Sequence, residues 1–245
     1  MSDDIKVSVI MPTYNEEDHV EKCFHRVVDA MKSYGQSFEV ILEEDGSTDK
    51  TPQIFDRLAQ EYPFVKALKF HEKMGKGFGI RKCFEEAKGE YVVLIDSDME
   101  YPPEKIPDLL RCINGNDIVI GSRRNWENVQ NGRTRTTRAI LSLMYVVVVK
   151  SLFGVDFREL TDFQSGFKAF RRRVIDSIQP ITSKGFEIDT EIIIKALRKG
   201  YKVGFIPITY TYKGSSKVNV VSDSLNMFIS LLKWKANGKL GHFVS

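Results

Sequence analysis

Five consecutive residues, Asp96-Ser97-Asp98-Met99-Glu100, put three carboxylates into one short turn directly behind a continuous apolar run from Tyr91 to Ile95. Carboxylates crowded at the mouth of a buried strand repel and raise one another's pKa. A divalent cation removes that cost. Hard oxygen donors suit Mg²⁺ or Mn²⁺, with positions left open for substrate phosphates. An acidic turn can also cap the helix that begins near Pro103. A bare D-x-D does not separate the two readings; its place behind a central strand favours the cation.

A second polar turn, Glu43-Glu44-Asp45-Gly46-Ser47-Thr48-Asp49, follows the apolar run ending at Leu42. A carboxylate just past a strand end can hold a base or ribose by accepting hydrogen bonds. Ser47, Thr48 and Asp49 suit a helix N-cap, so Asp45 is expected to recognise and Asp49 to cap. Gly75-Lys76-Gly77 lets backbone approach a phosphate or base beside a point charge. It is too short for a Walker A loop and gives no argument for an NTPase. Residues 121–139 carry Arg123, Arg124, Arg133, Arg135 and Arg138 against a lone Glu127. That stretch fits an anion, an acidic membrane surface or a plain solvated face.

These turns need elements to position them. Short strands are expected at 6–11, 38–42, 65–70, 91–95 and 117–121. Helices fill the intervals, the first with Val20, Cys23, Phe24, Val27, Val28 and Met31 at helical spacing. Alternating strands and helices predict an α/β fold: a Rossmann-like, mostly parallel sheet with helices on both faces. Ligands sit at the carboxyl ends of such strands. Four polar clusters, at 12–16, 43–47, 96–100 and 122–124, then converge on one cleft. Beyond Arg124 the alternation breaks down, and antiparallel strands are expected near 166–170 and 202–212.

The 245 residues suffice for one large α/β domain, and a net charge of +3 gives no argument for nucleic acid. Cys23, Cys83 and Cys112 form no CxxC pair, which fits a reducing compartment without a zinc site or disulfide framework. The first six residues lead directly into a strand pattern, so no signal peptide is expected. The apolar stretch 139–155 is interrupted by Lys150 and too short to predict a transmembrane helix.

Taken in order, residues 9–16, 44–49, Lys76-Gly77 and Asp96-Ser97-Asp98 resemble glycosyltransferase family 2. Gly121-Ser122-Arg123, residues 162–167 and Gly214-Ser215-Ser216-Lys217 narrow the resemblance to the dolichyl-phosphate (polyprenyl-phosphate) mannose or glucose synthases. It covers residues 5–220. It implies a GT-A type catalytic domain over 1–220, followed by an amphipathic C-terminal interface helix over 221–245. It implies that Pro12, Tyr14, Glu16, Asp45, Lys76 and Asp96 hold the nucleotide. Asp96, Asp98 and Glu100 would hold Mg²⁺ or Mn²⁺, and Ser122, Arg123 and Arg138 would grip the acceptor phosphate. Lys213, Ser216 and Lys217 would stand on the donor loop, with Asp98, Arg123 and Arg138 carrying catalysis. The sequence departs from the synthases in three places. Glu100 stands where glutamine is usual, Glu44 stands where aspartate is usual, and Lys213 stands in a loop where arginine is usual.

The implied reaction is an inverting, single-displacement transfer of a hexose from a GDP- or UDP-sugar to a polyprenyl phosphate. Such an acceptor is already largely anionic at neutral pH and needs positioning more than deprotonation. The fork of arginine matches phosphate oxygens. Residues 140–155 and the tail 228–245, where Trp234 stands among Lys233, Lys235 and Lys239, are candidates for a membrane surface. The implied location is the cytoplasmic side of a membrane, peripheral or tethered by a further segment. A transferase acting on a glycan would instead want an acidic base, for which Asp162, Glu187 and Asp189 are candidates. A non-catalytic nucleotide-sugar-binding module is a third reading.

Overall fold

The computed structural model describes residues 5–123, 145, 147–154, 162, 164–211 and 220–236, with backbone alone for 220–226. The first half runs as the alternation predicts. Its elements are β1 (Val7–Thr13), α1 (Val20–Tyr34), β2 (Phe38–Asp45), α2 (Thr51–Glu61), β3 (Val65–Phe70), α3 (Lys76–Glu86), β4 (Tyr91–Leu94), α4 (Ile106–Cys112) and β5 (Ile118–Ser122). Helical residues 147–153 follow. The second half adds β6 (Lys168–Arg171), α5 (Arg172–Ser177), α6 (Ile188–Arg198), β7 (Val203–Pro207) and α7 (Val220–Ala236). α1 stops where Gly35, at φ 76°, donates its N–H to the Met31 carbonyl, the left-handed stop that glycine makes easy.

The strands form one seven-stranded sheet in the order β3-β2-β1-β4-β6-β5-β7. β1 pairs in parallel with β2 and β4, β2 with β3, and β5 with β7. β6 is antiparallel to both neighbours, with Lys168 opposite Leu94 and Ile120. The expected antiparallel strand near 166–170 is therefore present. The one expected near 202–212 is corrected: β7 pairs with β5 in parallel, Ile118 opposite Val203. Two helices intervene between β6 and β7, which lets the chain enter opposite to β6 and therefore along β5.

Strand alternation divides the core in two. Ile10, Ile41, Leu94, Ile120 and Phe170 face Ile80 and Cys83 of α3, Ile192 of α6, Phe153, and Leu231 and Trp234 of α7. Val9, Met11, Leu42, Val93 and Val119 face Phe24 of α1, Leu58 of α2 and Leu109 of α4. Each fully buried Val, Leu, Ile, Phe or Met among them contributes about 1.5–3 kcal/mol. The same alternation sets the chemistry. Asp96 lies two residues beyond Leu94, and Lys168 pairs beside it, so both belong to the face that α3 and α6 cover.

Among the described residues no helix is long and apolar enough to cross a membrane. Trp234, expected at a water–lipid boundary, is only 7% exposed and packs in the core. Its helix instead exposes Phe228, Ile229 and Leu232 beside the exposed Lys233 and Lys235. Val147 is also exposed, while Val149 and Phe153 on the same helical segment are buried.

Candidate functional site

β1, β2, β4 and β5 point the same way, so the polar turns after them share one edge of the sheet. The turns are tied together before any ligand is considered. Asn15, in the left-handed region at φ 54°, takes the Thr48 N–H on its side-chain oxygen at 2.7 Å. The Asn15 and Glu16 amides donate to Ser47 Oγ and Thr51 Oγ1 at 2.8 and 3.0 Å. Asp49, expected as the cap of α2, stands one residue before the N-cap Lys50; it accepts from the Thr51 amide at 2.9 Å and from the Glu17 amide at 3.1 Å. Ser97 Oγ donates to the Pro12 carbonyl at 3.2 Å, joining the ends of β1 and β4.

Asp45 accepts the Met74 amide at 2.6 Å and the Gly75 amide at 3.0 Å. Burial raises its carboxyl above the ordinary value, against the pull of those two amides. It thus braces the loop before α3, and Lys73 of that loop lies 3.8 Å above the Tyr14 ring. The glycines flanking Lys76 have a role the sequence reading missed. Gly75 sits at φ 98°, and a β-carbon there would lie 2.3 Å from the Lys184 carbonyl oxygen. The Gly77 amide donates to that oxygen at 2.9 Å. In this structure these glycines let α3 pack on the segment before α6; the backbone they approach is the protein's own.

Lys76 Nζ donates to Asp96 Oδ1 at 2.7 Å and lies 3.8 Å from Asp189 Oδ2. Burial alone would lower this ammonium's pKa, but Asp96 and Asp189 outweigh it and raise it. Asp98 accepts the Glu100 amide at 2.9 Å, across Met99 held at φ 62°. Burial first, then the charges of Asp96 and Glu100, push the Asp98 carboxyl up to about 7. Glu100, expected at the metal, accepts a hydrogen bond from the Tyr210 hydroxyl.

These donors suit a divalent cation. The Asp98 carboxyl is destabilised as an anion by its carboxylate neighbours, and a cation relieves that repulsion. Among the described residues no three His, Cys, Asp or Glu side chains already surround one point. Mg²⁺ commonly needs only one or two carboxylates, with substrate phosphates completing its shell.

Arg123 donates to Asp162 three times: from its amide and Nε at 3.0 Å and from Nη2 at 2.6 Å. Burial would raise the Asp162 carboxyl, but Arg123 outweighs it and holds it below the ordinary range. The guanidinium also lies 5.6 Å from the Tyr210 ring centroid. Arg123 is therefore oriented by a buried carboxylate. Ser122 stands beside it, its carbonyl accepting the Ile208 amide at 3.1 Å. Glu16 lies 3.1 Å from His19 Nδ1. Arg138, Lys213, Ser216 and Lys217 lie outside the described residues.

Four contributors were not among the expected site residues. Tyr101 takes the Gly166 amide on its hydroxyl at 2.9 Å. Gly166 backs the Asp96 carboxylate. Tyr210 joins Glu100 to Arg123. Lys168, wholly buried, meets Asp189 at 2.5 Å. All depend on β6 entering between β4 and β5 or on β7 adding at the edge beyond β5, pairings across many residues that no local pattern encodes.

A parallel sheet with acidic turns at its carboxyl edge, and one antiparallel strand inserted beside them, defines a GT-A type α/β fold. The chain belongs to glycosyl transferase family 2, whose profile matches residues 8–179. It is 33% identical over 238 residues to a dolichol-phosphate mannosyltransferase of Pyrococcus furiosus, covering 94% of this chain and 65% of that protein. It is 29% identical over 232 residues to glycosyltransferase AglD of Haloferax volcanii, covering 94% of this chain and 37% of that one. The chain thus spans between about a third and two thirds of the length of these relatives. Among solved structures, glucosyl-3-phosphoglycerate synthase of Mycobacterium tuberculosis with Mn²⁺, UDP-glucose and phosphoglyceric acid superposes with a TM-score of 0.69. That match covers 95% of this chain and 80% of the other at 18% identity, a likeness of fold.

Proposed function

We propose that this chain is the catalytic domain of an inverting transferase that moves a hexose from a GDP- or UDP-sugar to a polyprenyl phosphate at the cytoplasmic face of a membrane. The observation that carries the reading is the closeness of two unlike sites: the acidic turn 96–100, and Arg123 oriented by Asp162, bridged by Tyr210. Asp96 and Asp98 would hold Mg²⁺ or Mn²⁺, which supplies Lewis-acid stabilisation of charge on the leaving diphosphate. The Pyrococcus relative's name favours mannose and dolichol phosphate, and the Mycobacterium structure favours Mn²⁺.

The residues divide the work. Tyr14, Glu16 and Asp45 line the edge where a nucleoside would lie, with Pro12 at the strand end beneath. Ser122 and Arg123, with Arg138, would hold the acceptor phosphate in line with the anomeric carbon. A phosphate oxygen then forms the new anomeric C–O bond as the bond to the diphosphate breaks, and the nucleoside diphosphate leaves. Lys213, Ser216 and Lys217 would close on the donor. No side chain has to remove a proton, because the phosphate is already an anion.

That last point favours a phosphate over a glycan acceptor. Asp162 and Asp189 are each only 3% exposed, and each is held by a cation. Glu187 accepts the Lys184 and Gly185 amides at 3.3 Å. The carboxylates that could deprotonate an alcohol are thus committed elsewhere. The test is a panel of GDP- and UDP-sugars with Mn²⁺, offered a short polyprenyl phosphate or a free sugar. Lipid-linked product supports the reading; transfer to the free sugar alone contradicts it.

A further inference from the structure

From Asp96 of the acidic turn inward run four charged side chains of alternating sign. Their side-chain exposure falls from 24% at Asp96 and 15% at Lys76 to 4% at Asp189 and none at Lys168. Lys76 Nζ stands between two carboxylates, bonded to the outer one at 2.7 Å and 3.8 Å from the inner one. Lys168 occupies Asp189 Oδ1 at 2.5 Å and leaves Oδ2 facing Lys76. Lys168 is itself pinned by the Ser165 carbonyl. The backbone holds the two halves in register, since the Gly77 and Phe78 amides both donate to the Lys184 carbonyl.

A buried ion pair is a poor source of stability, because apolar residues of the same volume often do as well. The Lys168–Asp189 pair has a use if the cleft must handle a second cation. A divalent ion arriving at Asp96 meets the Lys76 ammonium on the same carboxylate, and like charges repel strongly where water is scarce. The lysine stem is flexible enough to move its charge by the small distance needed. Asp189 Oδ2 is the acceptor already nearest.

We propose that Asp189, held in place by Lys168, is the dock onto which Lys76 moves when a divalent cation takes Asp96. Asp189 and Lys168 are then positioning residues for metal and donor binding. The inference rests on the reading that Asp96 and Asp98 hold the metal.

The test measures Mn²⁺ binding to the full chain by the loss of free-ion electron paramagnetic resonance signal, with no donor present. Two variants move the affinity in opposite directions, which a merely structural pair would not do. Lys168→Met leaves Asp189 short of a cation, so Lys76 is drawn from Asp96 and Mn²⁺ binds more tightly than to the unaltered protein. Lys168→Met with Asp189→Asn removes the dock, so Lys76 stays on Asp96 and the Kd rises about five- to a hundredfold. Adding Lys76→Met to that pair restores the affinity. A folded paired variant that binds Mn²⁺ as the unaltered protein does overturns the inference while leaving the metal reading intact. Where the paired variant fails to fold, Lys168→Met alone decides: tighter binding supports the dock, unchanged or weaker binding overturns it. If the unaltered protein takes up no Mn²⁺, either alone or with saturating GDP or UDP, the metal reading falls and the dock with it.

Discussion

Asp96 occupies the space that a side chain at Gly166 would take. A β-carbon built on Gly166 would lie 1.8 Å from Asp96 Oδ2 and 2.4 Å from its Cγ. The glycine of β6's approach thus sets where the first carboxylate of the acidic turn can stand. Gly166→Ala forces Asp96 to shift, and a misplacement of about 1 Å can cost about a hundredfold in rate. Overpacking should lower stability by only ~1–3 kcal/mol. Transfer rate beside melting temperature checks this; a folded variant with full activity would show that Asp96 need not stand where it does.

Glu43 gives a pH dependence free of the metal question. Both its oxygens are buried without a hydrogen bond of good geometry, against the α3 backbone at Gly79. Burial, then the charges of Asp45 and Glu44, raise its carboxyl well above the ordinary value of 4.5. A raised folded pKa means the fold favours the neutral form. Its contribution to stability is full below pH 4.5 and declines as pH rises towards the folded value. Glu43→Gln should match the unaltered protein's melting temperature near pH 4.5 and exceed it increasingly at neutral and alkaline pH. Parallel melting curves across that range would contradict the assignment.

Two substitutions separate the contact of Arg123 with Asp162 from its proposed hold on the acceptor phosphate. Arg123→Lys keeps the charge but loses the fork on Asp162. It should raise the acceptor KM with little change in donor KM, by roughly ten- to a hundredfold if a charge-assisted contact of about 1.5–3 kcal/mol is lost. Arg123→Ala also strands a buried carboxylate, and breaking a buried pair costs about 3–5 kcal/mol. Its melting temperature should fall well below that of the lysine variant. A donor KM that rises while the acceptor KM stays put would reverse the role.

The legibility of this molecule in its sequence divides at Arg123. The first five strands were readable because parallel strands covered on both faces are unbroken apolar runs, such as Tyr91–Leu94 and Ile118–Ser122. The polar turns behind them were readable because each interrupts such a run. A strand near 166–170 was readable too; what was not is which strands it joins, the pairing that brings Gly166 to Asp96 and Lys168 to Asp189. The paired roles of Asp45 and Gly75 were hidden for the same reason: local composition suggests a ligand for each, while the fold makes them partners of one another.

Whether α7 faces a membrane can be tested without any substrate. Phe228, Ile229, Leu232, Lys233 and Lys235 are all exposed. Lys233→Glu with Lys235→Glu should remove much of the salt-sensitive binding to anionic liposomes, because exposed charges are screened beyond ~10 Å at 0.1 M salt. Nucleotide binding should be unchanged. Val147 is 43% exposed, so Val147→Asp should stay folded by its melting temperature. If flotation with liposomes is untouched by the double lysine variant, α7 faces something other than lipid.

If the acidic turn and Arg123 serve transfer of a hexose to a lipid phosphate, the protein makes a lipid-linked sugar. The most direct measurement incubates the protein with GDP-mannose or UDP-glucose, Mn²⁺ and a short polyprenyl phosphate, and follows the lipid-linked sugar by chromatography. Unaltered protein should form product with one donor, chelation should stop it, and Asp98→Ala should abolish it while leaving the melting curve cooperative. Product formed equally by Asp98→Ala, or transfer only to a free sugar, would rule out a metal-assisted lipid-phosphate transferase.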